Sequence, residues 1–478
     1  MQRAVRHISA ILGRVIFIGF SIQIVFGMTW MCLNFSKLPQ FGESLFYVEI
    51  SKNFICDEYT GILYPVFLLL ARGIEGLAGL PYYCVMYVVQ LLVACYAAHR
   101  LLMGLKKTKR ALNLWGSLAV LTLPMAMQCH LAVLPYSLVS SFFLLELSIS
   151  LETVRKGMLR VRQMVKLASF WLLCALLLPE YLLLGAIPPV LVLLWGLVRI
   201  FGLVRRGNCQ ETRRQDIWRF ARQFVIFLAF GATIIGMNSL TQVKGYYGKN
   251  EKSLEACLVS RTAWTSLMSY YEGFPEQLRE ILDWGDVQAS AYYADNMAMV
   301  FGPAVEEALG TEEAREFFLA LSKQAWEQNR AHILHEIAWD AAAYTVSPIA
   351  LQMQLTGRGY DSYSGRNYEI MRHYTPVLSR IYMDYSCWWF AAALCLGAIL
   401  GIFCILLDRS LISGRNFFSV LILGVSCLGL IFWYTMQGAG MMDYKNTIGV
   451  TCVWMVFSLL LMEKGMGAYA CTEGNKTA

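Results

Sequence analysis

Glu43, Glu49, Asp57 and Glu58 gather in one stretch, 41–70, beside Tyr47, Tyr59 and Tyr64. A carboxylate held within hydrogen-bond reach of a hydroxyl can take its proton as a general base. Glu43 and Tyr47 stand at i and i+4, so on a helix they share one face. Glu43 is read as the base, with Asp57 as the next choice and Glu58 adjoining it. The competing account is an exposed acidic loop that keeps its segment from being drawn into a membrane. His332, His335 and Glu336 (HILHE) raise a metal reading, but the order is neither H-E-x-x-H nor H-x-x-E-H. A pair of surface histidines accounts for them better, and no metal ligands are assigned.

The frame that must carry these residues is a membrane. Of 478 residues, 57% are hydrophobic and only 15% charged. The apolar residues come in runs near the roughly 20 needed to cross a hydrocarbon core. Net charge is +7, unevenly spread: 244–385 holds 19 acidic and 12 basic residues, whereas the rest holds 28 basic and 14 acidic. The basic excess therefore belongs to the membrane part and speaks for topology rather than for nucleic acid. Fourteen cysteines include no CxxC, and most sit in apolar runs as small hydrophobes. Cys56 and Cys257, both placed outside, are left as a conceivable pair.

Ten spans are expected, at 8–33, 82–98, 112–128, 131–151, 167–181, 184–198, 224–240, 388–407, 417–436 and 447–462. Lys/Arg-rich loops at 99–110, 152–166 and 205–222 mark the inner side. The acidic stretch, Cys129-His130 and Pro179-Glu180-Tyr181 then fall outside, and both chain ends inside. The segment 64–80 is apolar but holds Arg72 and Glu75, so it is expected to lie along the interface. The long polar segment 244–385 is helical by pattern, with Phe317, Phe318, Leu321, Ala325 and Ile333 at helical spacing. The fold class is thus an all-α polytopic membrane protein with a mainly helical extracytoplasmic domain between spans 7 and 8. Three parts follow: a transmembrane module at 1–243, the outer domain at 244–386, and three closing spans with a cytoplasmic tail at 387–478.

An inside N-terminus, one span, an outer loop with Gly42-Glu43 followed by Tyr47, a helix opening Tyr64-Pro65, and short-loop span pairs together resemble the C-type (GT-C) membrane glycosyltransferases. The resemblance covers roughly residues 1–240; Gly-Glu-Ser stands where the family usually has Asp or Asp-Glu, and no Asp-x-Asp is present. It implies a cell-membrane enzyme that moves a sugar from a polyprenyl-phosphate carrier to an extracytoplasmic glycan, lipid or protein. A first-loop acid, here Glu43, would be the catalytic carboxylate. It fixes no cofactor and leaves a divalent metal open, the lipid-linked sugar donor being a substrate. A lipid phosphate leaves readily, so one base and a cation suffice. The outer cations on offer are Arg72, Lys244, Arg261, Arg366, Arg372 and Lys445, the last beside Tyr444. Tyr47 and Tyr64 would line the donor site, and Glu180, the deepest outer acid, would orient the sugar or merely mark a turn. Two rivals stand beside this reading. One is an envelope-polysaccharide polymerase or ligase using lipid-diphosphate donors. The other is a transporter or flippase, against which the spans hold almost no ionisable residue except Glu146.

Overall fold

The structure, a computed structural model, describes residues 2–35, 42–53, 61–105, 110–157, 160–205, 210–241, 254–259, 261–262, 264–287, 301–346, 376–407, 414–437, 449–450, 452–456 and 458. It is all-helical, 91% helix, with no strand among the described residues. Seven helices are long and apolar enough to cross a membrane, judged by length and composition. They lie within Gln2–Asn34 (α1), Tyr82–Leu105 (α4), Tyr136–Lys156 (α7), the run through Ile187–Arg205 (α10), Gln210–Thr241 (α11), Pro376–Leu407 (α17) and Gly414–Gln437 (α18). Between α1 and α4 sit two short helices, Gly42–Asn53 (α2) and Leu63–Ala78 (α3).

The expected pair of spans over 112–151 takes a different form. Arg110–Leu121 (α5) ends early, and a separate helix, Pro124–His130 (α6), starts again with Pro124 at its first position. Proline has no N–H to continue the ladder, and Thr122 turns its hydroxyl back onto the Leu118 carbonyl at 2.8 Å. Twelve helical residues rise only about 18 Å, short of a hydrocarbon core of roughly 30 Å. Val161–Leu177 (α8), at 17 residues, is likewise absent from the seven. A short turn, Tyr181–Leu184 (α9), links α8 to α10.

Helix α7 is the axle of the bundle, packed by α4, α6, α8, α10 and α18. Association inside lipid rests on close packing and interhelical hydrogen bonds rather than on hydrophobic expulsion. The α1–α17 contact shows how. Gly19 lies flush against the Trp389 indole, and Gly27 against Thr122 and Tyr382. Tyr382 donates to the Thr122 carbonyl at 2.6 Å, Tyr385 to the Gly19 carbonyl at 3.1 Å, and Trp30 to Ser379 Oγ at 2.7 Å. Such bonds average about 0.6 kcal/mol each in membrane helices. They also explain why α17 begins at Pro376 rather than near 388: its polar early residues find partners on α1 and at Thr122, just past α5. The domain boundary placed at 386/387 consequently runs through the middle of a helix.

The polar segment forms a helical unit with a core of its own. Leu254–Val259 (α12), Trp264–Tyr271 (α13), Glu276–Ile281 (α14), Gly302–Leu309 (α15) and Thr311–Val346 (α16) surround Phe274, Phe301, Phe318, Leu278 and Val305. Phe317, Phe318, Leu321, Ala325 and Ile333 pack this core, as their spacing predicts. Helix α16 kinks at Asn329, whose φ of −121° is not helical. Ser266 donates to Asn329 Oδ1 at 2.9 Å, and Asn329 Nδ2 donates to the Tyr270 hydroxyl at 3.0 Å.

Candidate functional site

One end of the bundle is basic. Arg100 and Lys156 both pair with Glu152, Arg100 at 3.1 Å, and Arg155 reaches the Gly104 carbonyl at 3.5 Å. These residues close α4 and α7, so the two Lys/Arg-rich loops share one side. The candidate site lies at the opposite end, where α2, α3, the α6–α7 turn, α9 and the helical unit meet the spans.

Helix α2 carries the first part of the acidic stretch, with Glu43, Tyr47 and Glu49. Ser44, Tyr47, Val48 and Ser51 are buried on one face, against α3. Glu43 occupies the first turn, one turn before Tyr47; its side chain lies outside the described residues, as do Asp57, Glu58, Lys244, Arg366, Arg372, Tyr444, Lys445 and the sulfurs of Cys56 and Cys257. Tyr47 meets Tyr64 edge to face, with ring centroids 5.2 Å apart. Both tyrosines, expected to line a donor site, are core residues. Burial raises the Tyr64 hydroxyl well above the usual phenol range, with Tyr47 adding to it, so it stays a neutral donor.

That hydroxyl donates to Gln90 Oε1 at 3.2 Å. Gln90 is fully buried, and its Nε2 faces three carbonyls, those of Cys129 at 3.3 Å, His130 at 2.8 Å and Ala132 at 2.9 Å. An amide nitrogen can only donate and a carbonyl only accept, which leaves one orientation for the side chain. Next to it His130 Nδ1 lies 2.7 Å from Ser137 Oγ. Burial drives the His130 imidazole down to about 3, so it is neutral at physiological pH and a poor base. Gly61, just before α3, sits directly on the Leu176 and Leu177 carbonyls that end α8.

The cations divide as follows. Arg72 projects from α3, donates to the Val48 carbonyl at 3.4 Å and stacks over the Tyr82 ring at 5.3 Å. It therefore borders α2 and stays half-buried at the edge of the site. Arg261, expected to hold a phosphate, is a buried clasp. Its Nη2 donates to Asp340 Oδ2 at 2.9 Å and to the Thr435 carbonyl, and its Nη1 to the Met436 carbonyl at 3.1 Å. Its charge is met by Asp340 and by the electron-rich last carbonyls of α18.

Glu180 precedes α9 half-buried, beside Tyr181 and Tyr434, whose two hydroxyls share a hydrogen bond. Carboxylate and phenols thus come together where α9 begins and α18 ends. His332 and His335 are exposed on α16, and among the described residues no group of three His, Cys, Asp or Glu is placed to hold a metal ion.

Gln90, Asp340, Tyr181, Tyr434 and Ser137 belong to these networks and were not singled out from sequence. Only Gln90 leaves a trace there, as a lone amide in the apolar run 82–98. Compared with protein-family profiles, curated proteins and solved structures, the chain matches none.

Proposed function

We propose that this protein is a membrane glycosyltransferase that moves a sugar from a polyprenyl-phosphate carrier to an acceptor outside the cytoplasm, with Glu43 as the general base. The observation that carries the reading is the seat of α2. A short helix bearing a carboxylate in its first turn is held, through Tyr47 and Tyr64, on the end of an apolar bundle opposite the basic loops. A base at that position meets acceptors from the water and a lipid-borne donor from the bilayer. Arg72, on the neighbouring helix, is the described cation best placed for the departing phosphate, and Glu180 marks a second carboxylate at the same end. One displacement with the acceptor activated by Glu43 inverts the anomeric carbon. The sugar departs from the phosphate oxygen, which keeps the bonding pair, while the acceptor proton passes to the carboxylate.

The test is turnover of a labelled polyprenyl-phosphate sugar by purified protein in nanodiscs. Glu43→Gln is expected to lower kcat by about 10²–10⁴-fold, the usual contribution of a positioned base, while donor binding persists. Unchanged turnover in Glu43→Gln removes the assignment.

A second reading has one specific observation behind it. Glu146, on α7, is fully buried, and neither carboxyl oxygen has a hydrogen-bond partner among the described residues. Ionisable groups deep in membrane segments often belong to transport pathways. Under that reading, proteoliposomes move a lipid-linked or soluble solute and Glu146→Gln stops them, whereas glycosyl transfer is absent altogether.

A further inference from the structure

We propose that Gln90 is the positioning residue of the site: its buried amide sets the height and tilt of α2, and with them the place of Glu43. The inference rests on Glu43 being the base.

The argument starts from an amide that has no business in an apolar helix unless every polar atom is met. Gln90 is 0% exposed in α4, and both ends of its amide are engaged. Two N–H bonds are shared among the carbonyls of Cys129 and His130, which end α6, and of Ala132 in the turn that follows. That turn is closed by its own backbone bonds, Leu131 N to Met127 O at 3.0 Å and Leu134 N to Ala132 O at 3.0 Å, so it is a firm base. With Nε2 held there, Oε1 has one direction to face, and the Tyr64 hydroxyl donates to it.

From Tyr64 the line of contacts passes to the Tyr47 ring, and so to α2 one turn after Glu43. Each link is short and stiff. A phenol ring has two side-chain torsions, and edge-to-face packing between buried rings restricts both. Arg72, also on α3, donates to the adjoining Val48 carbonyl and gives α2 a second tie to the same helix. If the phenol–amide bond is lost, α2 is still covered but is no longer held at a defined height. A base misplaced by about 1 Å loses on the order of 10²-fold in rate. Since α2 carries the base rather than the cations proposed for the phosphate, the loss belongs in kcat and not in KM.

The experiment uses the full-length protein in nanodiscs with two variants. Tyr64→Phe deletes only the hydroxyl, and Gln90→Met keeps the volume of the side chain without its amide. Hydrogen exchange over 42–53 is read alongside turnover of labelled polyprenyl-phosphate mannose or glucose. Amides of α2 are expected to exchange at least about tenfold faster in both variants while those of α7 stay as in the wild type. Turnover is expected to drop by about 10–100-fold in kcat with KM within about threefold. If α2 exchanges at the wild-type rate in both variants, Gln90 does not position it, whatever the turnover. Faster exchange with wild-type kcat also overturns the proposal. Faster exchange in variants of a protein that shows no transfer even as wild type sustains the hold of Gln90 on α2 and removes only the glycosyltransferase reading.

Discussion

Gln90 and His130 are buried polar side chains whose roles follow from what surrounds each atom. Replacing Gln90 by Glu puts a carboxylate oxygen against three carbonyl oxygens and removes the Nε2 donor that all three share. Each buried polar group left unmet costs about 1–3 kcal/mol, so Gln90→Glu is expected to destabilise far more than Gln90→Met. Thermal unfolding in detergent checks the order of the two. His130 sets a pH dependence, because its imidazole titrates near 3 when folded and near 6.5 when free. Above pH 6.5 both states hold it neutral. As pH falls below that, the unfolded chain takes up the proton first and stability drains away down to about pH 3, by at most about 1.4 kcal/mol per pH unit. His130→Asn, which has nothing to titrate, is expected to flatten the slope of unfolding temperature between pH 6.5 and 4. Equal slopes in both proteins would clear His130 of the effect.

At the scale of elements, the decisive contacts are those that join helices end to end. Arg261 links the turn after α12 to α16 and to the last carbonyls of α18, with side chains of Arg261 and Asp340 only 1% and 2% exposed. Removing one partner of such a buried pair typically costs 3–5 kcal/mol, because the other charge stays behind. Arg261→Met and Asp340→Leu are each expected to loosen the helical unit, and the double variant to cost less than their sum. Limited proteolysis within α13–α16 reads this directly; additive effects would mean that the two side chains act separately. Glycines provide a second contrast. An Ala at Gly61 would collide with the Leu176 and Leu177 carbonyls, whereas an Ala at Gly76 on α3 meets nothing within 4 Å. Gly61→Ala should therefore separate α3 from α8 and lower stability, while Gly76→Ala, gaining up to about 1 kcal/mol of helix propensity, should be neutral or better.

For the whole molecule, the distribution of charge and the two cores fix a polarity along the bundle. Arg100, Arg155 and Lys156 gather at one end, and α2, α3 and the helical unit at the other. Basic segments stay on the cytoplasmic side. A protease site inserted at 107 or 158 is expected to be cut only from that side, and one at the exposed turn Glu272-Gly273 only from the opposite side. Sealed vesicles of both orientations decide it. Cutting of all three from one side would undo both the topology and the proposed reaction, since base and lipid-linked donor would then face the wrong compartment.

Composition and periodicity were enough for the membrane class, for most of the long apolar helices and for the helical core around Phe318, because burial in lipid or in a small core depends on runs and spacing that one sequence displays. That Glu43 and Tyr47 stand one turn apart on a single helix is a local property and was legible too. What only the tertiary structure decided are relations between residues far apart in the chain. Tyr382 with Thr122 lets α17 start at Pro376; Arg261 with Asp340 turns an expected phosphate ligand into a clasp; Gln90 with the 129–132 carbonyls makes a lone amide the support of α2. A polar side chain in an apolar run reads from sequence as a cost. Its partner, and therefore its purpose, exists only once the helices are packed.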